Sequence, residues 1–95
     1  MPRFVIERNL AGAGQLCPEE LQGVARKSVG VLNELGPQIQ WVESYVTDDT
    51  IYCVYLAPNA EMVREHARRG GFPADRVSVV RRQISPLTAE DPALP

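Results

Sequence analysis

The sequence predicts an α+β sandwich with the element order β-α-β-β-α-β. Three observations predict it: two segments with helix-start signals and apolar helical spacing, four short strand-like runs, and turn residues at the junctions.

Arg3 to Arg8 alternates with period two and reads as the first strand. A flexible Ala11-Gly12-Ala13-Gly14 loop follows. Pro18 then sits at a first helical position, where its missing N–H costs nothing. Glu20 supplies the far half of a capping box on Cys17. Leu21, Val24, Ala25, Ser28, Val31, Leu32 and Leu35 form one helical stripe, which Gly36-Pro37 ends. Ile39 to Val46 and Ile51 to Leu56 are rich in β-branched and aromatic residues, and Thr47-Asp48-Asp49-Thr50 between them marks a hairpin. Asn59 caps a second helix through Arg69, stopped by Gly70-Gly71. Arg76 to Ile84 is the last strand. Two β-α-β halves with right-handed crossovers give a four-stranded antiparallel sheet with both helices on one face, the ferredoxin-like arrangement.

The domain is expected over residues 1–84, with residues 85–95 a proline-rich, disordered tail. A chain of 95 residues makes one small domain with a modest core, and such domains often pair with a second copy. The net charge of −2 is not that of a general nucleic-acid binder. No apolar run approaches the roughly 20 residues needed to span a bilayer, and the N-terminus carries no signal-peptide pattern. Cys17 and Cys53 match no paired metal or redox spacing, so the expectation is a cytoplasmic protein with reduced thiols.

The uncovered sheet face is the main question. With a hairpin loop of two or four residues, Val46 opposes Ile51, Ser44 opposes Cys53 and Val42 opposes Tyr55. The small and branched residues suit the face beneath the helices. The other face then carries Trp41, Glu43, Tyr45, Tyr52, Val54 and Leu56, joined by Val5 and Glu7 from the first strand. Such a patch points to a dimer interface closing sheet on sheet, or to a pocket in which Glu7 and Glu43 face a ligand or cation. The aromatics resemble an RNA-binding sheet, but the two carboxylates would repel phosphate, and no nucleic-acid partner is expected.

His66 is the single histidine, at the edge of the second helix's apolar stripe. A hydrogen-bonded structural histidine is the plainer reading. Imidazole is also a common nickel, zinc or copper ligand, and a dimer or a carboxylate could complete the set. The topology points the end of the second helix toward the start of the first, which adds Cys17 to the candidate donors. No Ser-His-Asp arrangement, phosphate loop or HxxxH motif is present, and no catalytic residue is assigned.

The stretch Tyr52-Cys53-Val54-Tyr55-Leu56-Ala57-Pro58, followed by Val63-Arg64-Glu65-His66-Ala67 through Gly70-Gly71-Phe72-Pro73 to Val77, resembles a family of small bacterial nickel-binding or nickel-responsive ferredoxin-like proteins. The resemblance runs from Phe4 to Val80. It implies a homodimer with nickel at the dimer surface, and it carries over His66 as the motif histidine. The leading expectation is therefore a non-enzymatic, metal-binding or metal-responsive homodimer, with His66, Glu65 and Cys17 as candidate ligands. The alternative is a small-molecule binder or small enzyme with a pocket over the open face and Glu7 or Glu43 as base.

Overall fold

The computed structural model describes residues 1–91 and 93. Its elements are β1 (Arg3–Asn9), a 3-10 turn (Ala13–Gln15), α1 (Pro18–Leu35), β2 (Gln40–Val46), β3 (Thr50–Leu56), α2 (Ala60–Gly70), β4 (Arg76–Val79) and a second 3-10 turn (Pro86–Ala89). The strands form one antiparallel sheet in the order β2-β3-β1-β4, as the predicted element order requires.

Alternation decides which strand residues face the helices. Phe4, Ile6 and Arg8 of β1 are buried, as are Ile51, Cys53 and Tyr55 of β3, while the residues between them are more exposed. Leu32 and Leu35 of α1 and Val63 of α2 close over this layer. Burial of these apolar side chains is the main favourable term, roughly 1.5–3 kcal/mol for each large one fully removed from water.

The helix ends follow from their caps. The Cys17 backbone N–H donates to Glu20 Oε1 at 3.1 Å. At the other end, Gly36 adopts a φ of 90° and donates to Leu32 O. Asn59 Oδ1 accepts from the Met62 N–H at 2.9 Å and so starts α2. Gly71, with φ 68°, stops α2 and lets Phe72 fold back over the helix end. Gly70 suits that fold, because a Cβ there would collide with the Phe72 ring unless the ring shifted.

Two details differ from the sequence expectation. β2 carries a bulge, so that Trp41 opposes Tyr55 while Glu43 opposes Val54. Val42 is the extra residue, and it flips the parity of everything before it. Trp41 therefore lies on the helix-covered face and packs against the core, not on the open face where uninterrupted alternation puts it. β4 ends at Val79 rather than Ile84, because β1 begins at Arg3. After the Val80 N–H bonds Arg3 O, little partner backbone remains. Within the tail, Pro86–Ala89 forms a 3-10 turn capped by Ser85. Pro92, Leu94 and Pro95, also expected to be disordered, lie outside the described residues.

Candidate functional site

The open face is organised in rows across the sheet. Tyr45 opposes Tyr52, Tyr52 opposes Glu7 and Glu7 opposes Arg76, so one row crosses all four strands. The next row runs Glu43, Val54, Val5 and Ser78. Opposed residues share a face, so Glu7, Glu43, Tyr45 and Tyr52 stand together as the alternation predicts. Tyr45 is 55% exposed and Tyr52 37%. Both carboxylates have partners. Glu7 faces Arg76 at 3.8 Å, and Glu43 accepts a hydrogen bond from the Tyr45 hydroxyl. That bond and the carboxylate charge push the Tyr45 phenol above its ordinary pKa.

The candidate metal donors are not gathered in the same way. His66 is fully buried. Its Nε2 lies 3.1 Å from Ser28 Oγ and 3.4 Å from Ser28 O. A carbonyl can only accept, so the proton belongs on Nε2, which leaves Nδ1 buried without a partner. The ring packs between Tyr55 and Phe72, at centroid distances of 5.1 and 5.7 Å. Burial pushes its pKa below the usual imidazole value, and the nearby Arg8 charge adds to that. Glu65, in contrast, is held by Arg68 and Arg69 on the surface of α2. Those hydrogen bonds lower its pKa to about 2. Cys17 is exposed at the start of α1.

A second feature lies beneath the helices. The first half of the α1 stripe does not seal against the sheet. Instead, Leu21, Val24, Ala25 and Ser28 wall a cavity of about 440 Å³, with Trp41, Ser44, Val46, Ile51 and Cys53 as its floor. Trp41 Nε1 donates to Ser44 Oγ at 2.9 Å. Arg8 and Tyr55 close one end together with Phe72 and Pro73. Arg8 is the residue that the sequence reading missed. Its parity with Phe4 and Ile6 was the available signal, since an arginine two residues beyond Ile6 on the same strand must also point inward.

A family model described as nickel responsive protein SCO4226-like matches residues 4–80. The chain belongs to this family. Among solved structures it is similar to the crystal structure of SCO4226 from Streptomyces coelicolor A3(2), with a TM-score of 0.73 and 20% identity. That match covers 86% of this chain and 99% of the other, and at such identity it shows the shared fold alone. No curated protein matches. Among the described residues, no group of three or more His, Cys, Asp and Glu side chains is placed to hold a metal ion. Nor is any helix among them long and apolar enough to cross a membrane.

Proposed function

We propose that the protein is a homodimeric, metal-responsive binding protein without enzymatic activity, with nickel, the metal named in the family's description, as its metal. The observation that carries this reading is the row Tyr45-Tyr52-Glu7-Arg76 on a sheet face that no helix covers. Two large aromatics, with Val5 and Val54 beside them, favour closure against a second copy because burial removes apolar surface from water.

Pairing also addresses the shortage of donors. A second copy doubles Glu7 and Glu43 at one interface, which a single chain cannot do. His66 serves the fold in this reading, since its ring is enclosed and its Nε2 is engaged by Ser28. Glu65 and Cys17 reach solvent and remain secondary donors.

Sedimentation velocity and equilibrium dialysis of tag-free protein against nickel test the reading together. The expected result is a dimer that takes up nickel in a fixed ratio. Tyr52→Arg should give a monomer with reduced uptake, and Glu7→Gln with Glu43→Gln should keep the dimer but lose metal. A monomeric wild type, or uptake untouched by either variant, would overturn it.

A further inference from the structure

Arg8 is 5% exposed, yet no carboxylate among the described residues pairs with it. Its Nη1 donates to Pro73 O at 2.5 Å, its Nη2 to the Tyr55 hydroxyl at 3.4 Å, and its Nε to Cys53 Sγ at 3.4 Å. None of the three acceptors is a carboxylate. The guanidinium also stands 5.5 Å from the Phe72 ring centroid. The ion pairs among the described residues join Glu65 to Arg68 and Arg69, and Glu7 to Arg76; none involves Arg8.

A buried charge without a counter-charge is costly, and buried arginines are ordinarily paired. Here the arginine borders the 440 Å³ cavity, within the size range of small-molecule sites. No Asp or Glu lines that cavity. Its walls are otherwise mainly apolar, with Ser28, Ser44, Trp41, Cys53 and Tyr55 as the other residues that carry polar side-chain atoms. A second cation lies near the rim: Lys27 Nζ is 5.7 Å from the Phe72 ring centroid, and Gly71 beside it borders the cavity. A guanidinium carries five N–H groups, of which three are engaged, so donors remain for a planar anion.

We infer that this cavity is a binding site for a small apolar monocarboxylate, its body seated between α1 and the β2–β3 hairpin and its carboxylate received by Arg8. The site is independent of the proposed metal reading: it lies on the other side of the sheet and needs neither nickel nor a second copy. Charge complementarity selects the acid, and the apolar walls select the body. An arginine that served only to hold Pro73 and Tyr55 would not need an open, acid-free space beside it.

Trp41, the chain's single tryptophan, lines the cavity and reports on its contents. Full-length protein is titrated with octanoate and 4-phenylbutyrate, and with the corresponding primary amides. The expected result is a saturable change in Trp41 emission, with the acids binding at least tenfold more tightly than the amides. Arg8→Met should remain folded and abolish the preference for acid over amide. Ala25→Phe, which fills the cavity from the α1 side and keeps Arg8, should weaken acids and amides alike. The inference is overturned if no acid gives a saturable response, if acid and amide bind equally to wild type, or if the preference survives in Arg8→Met. Should Arg8→Met fail to fold, the Ala25→Phe titration decides alone, and unchanged acid binding there overturns the inference.

Discussion

Ser28 of α1 and His66 of α2 meet beneath the helix pair, with Ser28 Oγ 3.1 Å from His66 Nε2. The contact ties the two helices at a buried point, while burial of the ring disfavours its charged form and lowers its pKa, against the opposing pull of the Ser28 hydrogen bond. The folded-state pKa is therefore lower than that of the unfolded chain, and the unfolded state binds more protons in acid. Stability is full above the ordinary imidazole value of 6.5 and is lost as pH falls below it. The slope from this one group is at most about 1.4 kcal/mol per pH unit. Thermal melts between pH 7.5 and 5 should show a steeper fall for wild type than for His66→Gln, which keeps a polar group but cannot titrate. Parallel curves would refute the assignment.

Gly70 lies under the Phe72 ring, and an added methyl would collide with it. Gly70→Ala should destabilise the fold by about 1–3 kcal/mol, the usual cost of overpacking. Helix propensity opposes this by at most about 1 kcal/mol. Urea denaturation should show a lower midpoint with an unchanged slope. A midpoint equal to or above that of wild type would mean that the ring moves aside freely.

The two thiols occupy opposite environments: Cys17 is exposed, while Cys53 is buried in the core near Arg8 Nε. A thiol reagent should label one thiol per chain quickly in native protein and both in denaturant. Fast labelling in native Cys17→Ser would contradict the burial of Cys53.

The Tyr45 phenol is raised by its bond to Glu43. Replacing Glu43 by Gln removes the negative acceptor, so Tyr45 should ionise at lower pH. Ultraviolet titration of the phenolates, compared with a Tyr45→Phe control, measures this. No change on Glu43→Gln would show that the pair does not persist in solution.

Much of the fold was legible because its signals are local. Pro18, Gly36, Asn59 and Gly71 each act within one turn of chain, and they fix where both helices start and stop. The open face was legible as far as alternation holds, which covers Glu7, Glu43, Tyr45 and Tyr52. It failed at Trp41, because nothing in the residues around Val42 announces an inserted position; a bulge depends on the partner strand and on what must be buried. The donor set His66, Glu65 and Cys17 came from helix direction and a family motif. Burial of the imidazole is a tertiary fact that neither source contains, whereas the two arginines on Glu65 stand at i+3 and i+4 on the same helix and were legible in the spacing. Arg8 was hidden for a different reason: an inward arginine breaks the expected pattern of an apolar face, so it reads as a strand end until the cavity beside it is seen.

The two sheet edges have a consequence for assembly. β4 pairs over four residues and then gives way to exposed Arg81 and Arg82, while β2 is interrupted by its bulge. Short, charged or kinked edges are poor templates for adding a strand from another molecule. Fibril-like growth along the hydrogen-bonding direction is thereby discouraged at both ends of the sheet. Any self-association is steered toward closed, finite contacts made by side chains rather than by backbone.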